Sequence, residues 1–376
     1  MLPADSPAIT QLTLSDFRNY ADLRLTLASR TIALTGPNGA GKTNLLEAIS
    51  LLAPGRGLRG AAHEELARQT GAERWAMTVL LAPEETRIAT SWGFDGGEES
   101  RKISINGAAQ RSAGALGEYA RLLWLTPAMD RLFAGPASDR RRFLDRLIAV
   151  FDPEHASRIL AFEKLMRDRN LLLEENAPDG AWLSGLEAHM AEAGAAIAGA
   201  RLSGVEALQA FIDQQPKDSP FPFGLLAVEG EFEALMRSMP AVQAEDGYRK
   251  LLRDSRRLDQ AAGRTLKGPH RSDLKVLHGP KGMAADLCST GEQKALLIGL
   301  ILAQAHAVKA AIGQAPVLLL DEIAAHLDHA RRMGLFAELD RLGAQVWMTG
   351  TDADLFSGLG RDADRFHVEN AQVSRM

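Results

Sequence analysis

Gly36-Pro37-Asn38-Gly39-Ala40-Gly41-Lys42-Thr43 fills the pattern G-x-x-x-x-G-K-[ST] at every position. Glycines at that spacing let successive backbone N–H groups turn inward at a helix N-terminus and hold phosphate oxygens. In such a loop Lys42 neutralises the outer phosphates and the Thr43 hydroxyl ligates Mg²⁺, with Asn44 following in the first helical turn. Far downstream, Val317-Leu318-Leu319-Leu320-Asp321-Glu322 is an apolar run that ends in two carboxylates. Asp321 stands where it can back a Mg²⁺ ion, and Glu322 where it can polarise an attacking water. Lys42 and Glu322 are therefore the candidate catalytic pair. Between the two motifs lies Ser289-Thr290-Gly291-Glu292-Gln293-Lys294, just ahead of a long apolar stretch. A serine hydroxyl, a glycine and a helix N-terminus make a second place for an anion. Such a place has a use if a second copy of the chain carries it to the first copy's γ-phosphate. Ser289 and Glu292 also fit a capping box, so a purely structural reading stands beside that one.

These residues need a parallel sheet to hold them. Thr31 to Thr35 reads as a short apolar strand entering the glycine loop, and a helix is expected from Lys42 to about Leu52. Ahead of it, Ile9 to Leu34 alternates with a period of two. Strands are expected at Ala76 to Leu81, Thr86 to Trp92 and Lys102 to Ile105, with turn signals at Asp95-Gly96-Gly97 and Asn106-Gly107. From about Thr126 the pattern turns helical: Asp139 to Val150, then a helix opened by Pro153 with Asp152 as its cap and running to about Glu175. Asn176 to Leu183 reads as a turn. Leu186, Met190, Ala193, Ile197, Ala200, Gly204, Leu208 and Phe211 then recur at spacings of three and four. The two helices make a short hairpin, each roughly 35–45 Å long. Gln215 to Phe223 reads as a connector, and helix resumes from Gly247 to Ala262. A strand near Val276, a helix from Glu292 to about Ala311, a strand at Val317 to Leu320, a helix from Arg331 to Leu342 and a strand at Gln345 to Thr349 complete the chain. The organisation expected is an α/β ATPase head in two parts, 1–125 and 266–376, around a helical insertion at 126–265.

Composition sets outer limits. With 376 residues, 46% hydrophobic, the chain can bury a large core in more than one lobe. A formal net charge of -5 rules out a general polycation, so contact with nucleic acid has to come from local patches. One cysteine, Cys288, excludes an intrachain disulfide framework and fits a reducing cytoplasm. Met1 to Pro7 lacks the features of a signal peptide. The longest near-continuous apolar run, Ala295 to Ala305, falls short of the ~20 residues that span a bilayer, so no membrane is expected. The histidines show no metal-ligand spacing.

Taken together the motifs resemble the ABC-ATPase superfamily, with Walker A, a signature, Walker B, and Ala325-His326-Leu327-Asp328 similar to its D-loop. Within it the chain resembles the RecF family of bacterial recombination mediators, related to SMC ATPases. Leu14-Ser15-Asp16-Phe17-Arg18-Asn19-Tyr20 is similar to that family's N-terminal strand motif. Gly135 to Asp145 resembles its GSPSxRRxFLD segment, and Gly268-Pro269-His270-Arg271-Ser272-Asp273-Leu274 its GPHRxDL segment. The chain departs from the pattern at Pro136-Ala137, and at Glu292, where glutamine is common. Met348-Thr349-Gly350-Thr351-Asp352 stands where ABC transporters place a histidine.

The resemblance implies a β-rich N-terminal subdomain, ATP and Mg²⁺, and weak DNA-stimulated ATP hydrolysis. It also implies an ATP-dependent homodimer on single-stranded, gapped or junction DNA, with Ser289, Gly291, Glu292 and Asp328 acting in trans. RecR- and RecO-type mediators and RecA recombinase would be partners in gap repair, replication and the SOS response. By the same resemblance Arg18 and Asn19 lie near the adenine; a plain strand-edge turn is the other reading. Arg249 to Lys275 holds nine Lys or Arg against three Asp, and Arg131 to Arg146 five Arg against two Asp. Arg140, Arg141, Arg142, Arg256, Arg257, Lys267 and Arg271 are the candidate DNA contacts, with a solvated helical face as the alternative. Two other classes share the motifs. A transporter ATPase would not need the roughly 245 residues between Thr43 and Ser289. A structural-maintenance or break-repair ATPase would place a much longer coiled coil there.

Overall fold

The computed structural model describes residues 6–93, 100–175, 180–215 and 219–376, with the backbone alone at Ala325 and His326. The expected turn at Asp95-Gly96-Gly97, residues 176–179 of the next expected turn, residues 216–218 of the connector and the first five residues lie outside them. The chain divides into two compact units. Unit 1 is 1–130, 217–221 and 297–376, and unit 2 is 131–216 and 222–296.

In unit 1, β1 (Ala8–Phe17) and β2 (Tyr20–Thr26) form a hairpin. β3 (Thr31–Thr35) leads through the glycine loop into α1 (Lys42–Ser50). β4 (Trp75–Ala82), β5 (Thr86–Trp92), β6 (Lys102–Ile105) and β7 (Ala108–Ala109) follow, then β8 (Leu122–Leu125). The antiparallel sheet runs β2-β1-β4-β5-β6-β7. β4 is buried at every second residue, Trp75, Met77, Val79 and Leu81, as a sheet with one covered face requires.

Unit 2 opens with α2 (Ala137–Phe151), α3 (His155–Leu173) and α4 (Gly180–Gln214). Then come β9 (Gly224–Glu229), α5 (Glu231–Ser238), α6 (Ala241–Asp254) and α7 (Arg256–Ala262). A small antiparallel sheet orders β11 (Met283–Ala284), β10 (Asp273–His278) and β9. α4 is one unbroken helix of 35 residues, about 52 Å, against 19 residues and about 28 Å for α3. The expected turn therefore ends earlier: Gly180 to Leu183 is already helical, and Leu183 is buried with Leu172 and Leu173. Nor does Asp152 cap α3, which starts after Glu154; Asp152 instead accepts the Glu154 N–H in the turn before it. The helix expected from Gly247 to Ala262 is two helices, broken at Ser255, whose hydroxyl bonds the Leu252 carbonyl and Asp259. β9 and α5 were not expected at all. Gly204 lets α4 approach α2 closely: a Cβ there would lie 2.1 Å from Ile148 Cδ1, so the isoleucine side chain would have to move. Arg169, fully buried, ties this unit together: it bonds Glu187, Asp259, Thr265 and the Leu252 carbonyl.

α8 (Thr290–Ile312) begins in unit 2 and continues into unit 1. It is long and apolar enough to cross a membrane by length and composition, but 61% of its most apolar window is buried, as befits a core helix. Unit 1 ends with β12 (Val317–Leu320), α9 (His329–Leu342), β13 (Val346–Thr349), β14 (Asp364–Glu369) and β15 (Gln372–Arg375). The second sheet runs β15-β14-β3-β13-β12-β8, parallel except for β15. β12 and β13 are buried at every residue, the mark of strands covered on both faces.

Candidate functional site

The parallel sheet puts the ends of β3, β13 and β12 side by side, because β13 lies between the other two. The glycine loop leaves β3, Thr349 ends β13, and Asp321 follows β12. Ligands of open parallel sheets gather at these carboxyl ends. Thr43 Oγ1 donates to Asp321 Oδ1 at 2.9 Å, joining the phosphate loop to the acidic strand end. A hydroxyl beside a carboxylate is a hard-oxygen pair of the kind Mg²⁺ takes. Lys42 Nζ folds back onto the carbonyls of Gly36 (2.6 Å) and Pro37 (2.8 Å), spanning the mouth of the cradle. Burial lowers its pKa, while Glu322 and Asp321 act to raise it. These residues fit a nucleotide triphosphate and Mg²⁺.

Glu322 adopts a left-handed backbone, φ 50° and ψ 29°. That conformation costs a non-glycine residue about 1–2 kcal/mol and persists where the surroundings dictate it. Here the Glu322 N–H donates to Thr349 Oγ1 at 2.8 Å, and the same hydroxyl donates to Asp321 Oδ1 at 2.8 Å. Thr349 therefore holds both acids. Sequence reasoning placed it only at the position where transporters carry histidine.

A second missed residue is Glu47, fully buried in α1. Arg18 grips it through Nε (2.8 Å) and Nη2 (2.7 Å), and Arg59 adds a contact at 3.0 Å. Arg59 also bonds Asn44, Asn44 bonds Asn19, and Asn19 Nδ2 donates to the Ala40 carbonyl. Tyr20 OH reaches the Gly41 carbonyl at 3.1 Å. Gly41 must be glycine for two reasons: its φ is 117°, and a Cβ would lie 2.5 Å from Asn19 Nδ2. Arg18 and Asn19 thus brace the phosphate loop from beneath, whatever else they touch. Asn38 and Gly39 are exposed at the loop's crest.

In unit 2, Ser289 and Gly291 are exposed at the start of α8. The Ser289 N–H donates to Glu292 Oε2 at 2.9 Å, which is half of a capping box. Glu292 also pairs with Lys281, and with Ser289 this holds its pKa down to about 2. In unit 1, Asp328 caps α9 by accepting the Arg331 N–H at 2.8 Å. The side chains of Ala325 and His326 are outside the described residues.

The basic candidates separate into two groups. Arg140 makes a two-point contact with Asp273 at 2.7 and 2.8 Å and bonds the Phe133 and Gly135 carbonyls. Arg256 grips Glu187 at 2.9 and 2.6 Å, and Lys267 pairs with Glu231. Arg140 and Arg256 are thus engaged in largely covered ion pairs inside unit 2, whereas the Lys267–Glu231 pair lies at the surface. Arg141 bonds the Ser272 carbonyl and lines a cleft of about 320 Å³ with Arg142, Arg201 and His270. Arg142 is exposed and pairs with Asp139; Arg257 and Arg271 are exposed and make no ion pair among the described residues. No cluster of three metal-binding side chains occurs among the described residues.

Fold and site define a P-loop nucleotide-binding head of the ABC/SMC class. The RecF/RecN/SMC N terminal domain family matches residues 8–373. The chain is 51% identical over 367 residues to the DNA replication and repair protein RecF of Mesorhizobium japonicum, covering 97% of each. It is 50% identical over 375 residues to that of Brucella suis, covering 98% of this chain and 97% of the relative. Among solved structures, the recombination mediator protein RecF-ATPrS in the RecFOR pathway superposes with a TM-score of 0.87 at 24% identity, over the whole of both chains. The Smc head domain derived from Pyrococcus furiosus superposes with a TM-score of 0.52 at 16% identity, covering 98% of this chain and 96% of that one. The chain belongs to the RecF family.

Proposed function

We propose that the chain is an ATP-gated recombination mediator, acting on DNA in replication and repair. Membership of a family whose members are DNA replication and repair proteins supports the role. The observation that supports ATP binding and hydrolysis is the joint hold of Thr349 on Asp321 and Glu322, directly beside Thr43 of the phosphate loop. ATP sits at residues 36–44, with Lys42 against its outer phosphates. Mg²⁺, held by Thr43 and backed by Asp321, supplies charge neutralisation to the triphosphate. Glu322 accepts a proton from the attacking water.

Two copies close head to tail, so that Ser289 and Gly291 of one meet the γ-phosphate held by the other. Only the state with an intact triphosphate gains this contact, so ATP shifts the population toward the closed pair and hydrolysis reverses it. Closure gathers the exposed basic side chains of two unit 2 copies on one DNA, giving salt-sensitive binding with little sequence preference. Single-stranded, gapped or junction DNA is the substrate, in the cytoplasm, with RecR- and RecO-type proteins and RecA recombinase as partners. A transporter role has no support from family membership.

Sedimentation of wild type and Glu322→Gln, with and without Mg-ATP and gapped duplex, tests this. Wild type should assemble with ATP and redissociate as ATP is consumed. Glu322→Gln should stay assembled and remain longer on DNA, and Lys42→Ala should do neither. Monomers at saturating ATP in both wild type and Glu322→Gln would overturn the gating.

A further inference from the structure

The signature of this chain carries a carboxylate, Glu292, in the first turn of α8, the helix end that the head-to-tail reading gives to an incoming triphosphate. Glu292 lies one residue after Gly291 in the first turn of α8. Its two oxygens have separate partners: one accepts the Ser289 N–H and the other meets Lys281 Nζ. Lys281 comes from a short helical turn, Gly279–Lys281, between β10 and β11, a little ahead of the signature in sequence. Its side chain is about half exposed, and its ammonium is aimed at Glu292.

A glutamate in the first turn favours the helix on its own, because it complements the positive end of the helix dipole. The same charge opposes an anion arriving at that end. We propose that Lys281 is a positioning residue for the in-trans phosphate contact: it cancels the Glu292 charge and holds that carboxylate back, so that Ser289 and Gly291 can receive a γ-phosphate. The proposal rests on the head-to-tail reading above. It departs from a merely structural ion pair in one respect, since Lys281 is needed only while residue 292 is charged. With a neutral glutamine at 292, nothing would remain for the ammonium to cancel. The lysine and the glutamate are then one unit, and loss of the lysine should matter far more than loss of both.

The test is a set of four proteins compared by sedimentation in Mg-ATP: wild type, Lys281→Gln, Lys281→Arg, and Lys281→Gln with Glu292→Gln. Nucleotide affinity is measured separately on the monomer at low protein concentration. Lys281→Gln should weaken ATP-dependent assembly by about tenfold, the scale of one uncompensated charge near a partly screened phosphate. Its nucleotide affinity as a monomer should be unchanged, because the phosphate loop is intact. Lys281→Arg should assemble like wild type, and the double variant should recover to within about twofold. The Lys281→Gln deficit should also shrink at high salt, as screening requires. Assembly by Lys281→Gln at wild-type strength would overturn the role of Lys281 and leave the head-to-tail reading standing. A double variant as weak as Lys281→Gln would do the same. Wild type that never assembles with ATP would sink both.

Discussion

Thr349 Oγ1 lies 2.8 Å from Asp321 Oδ1, and through this one hydroxyl the end of β13 is tied to the end of β12. The same oxygen accepts the N–H of Glu322, so the left-handed turn that presents the glutamate is anchored to a neighbouring strand. Replacing Thr349 with valine keeps the volume and removes both bonds. The Glu322 N–H would lose its partner, at about 1–3 kcal/mol, while Asp321 Oδ1 would keep the Thr43 hydroxyl. Thr349→Val should lower the ATP hydrolysis rate more than tenfold and leave nucleotide affinity within about threefold, because Lys42 and the loop are untouched. Steady-state hydrolysis alongside equilibrium nucleotide binding checks this. Equal losses in both would mean that Thr349 serves the fold and not the water.

Beneath the loop, Glu47 is a carboxylate with no exposure, satisfied by Arg18 and Arg59. Arg18 provides the two-point half of that contact and is itself mostly covered. Breaking a buried pair by deleting one partner costs about 3–5 kcal/mol, and Arg59 should recover part of it. Arg18→Ala should therefore lower unfolding free energy by about 2–3 kcal/mol. Nucleotide affinity should fall too, since Glu47, Arg59, Asn44 and Asn19 form one chain up to the Ala40 carbonyl. Denaturant melts and nucleotide titration of the same variant read the two effects. A full loss of affinity with unchanged stability would instead point to direct contact between Arg18 and the nucleotide.

What was legible in the sequence follows from how locally each feature is encoded. Residues 36–43 specify their own turn and their own chemistry, and β12 announces itself as an unbroken apolar run, so both motifs could be read directly. Thr349 could not be, because its role exists only once β13 lies between β3 and β12, an order that local pattern does not contain. Glu47 looks like an ordinary helical acid until Arg18, 29 residues earlier, arrives beside it. Arg140 and Arg256 show the opposite relation between sequence and structure. In a list of basic residues they look like a DNA face, while in space each is matched to one carboxylate, Asp273 or Glu187. The helical periodicity runs on through Ser255, and the hydroxyl's bonds to the Leu252 carbonyl and Asp259 mark the corner.

That division among the arginines can be measured. Arg142→Ala and Arg271→Ala remove exposed charges and should each weaken DNA binding evenly across sequences, with the slope of log affinity against log salt falling by about one. Stability should change by less than about 0.5 kcal/mol. Arg140→Ala should do the reverse, because it leaves Asp273 without its two-point partner, with the Lys275 ion pair remaining. Salt titrations of binding to a gapped duplex, paired with thermal melts, separate the two groups. A change in the salt slope for Arg140→Ala while its melting temperature holds would return that residue to the DNA surface.

His270 links the stability of unit 2 to pH. Its Nε2 bonds the Thr265 carbonyl, its ring lies against Phe162, and burial with nearby Arg271 and Arg141 pushes its pKa down to about 4. The Thr265 carbonyl and Asp259 pull the other way without prevailing. An unfolded histidine titrates near 6.5. Above that, neither state takes up the proton and stability is insensitive to it. Between 6.5 and about 4 the unfolded chain binds a proton that the folded chain refuses, so stability falls as pH falls. Below about 4 both bind it and the loss levels off. At pH 5 the cost is about 2 kcal/mol relative to pH 7. Glu233, whose pKa burial raises, works in the opposite direction, so the wild-type profile alone would mix the two. Comparison with His270→Gln isolates the histidine, because glutamine keeps an N–H for Thr265 and has no proton to refuse. The difference in unfolding free energy between pH 7 and pH 5 should be about 2 kcal/mol larger in wild type than in the variant. Equal differences in the two proteins would show that the imidazole titrates freely in the folded chain.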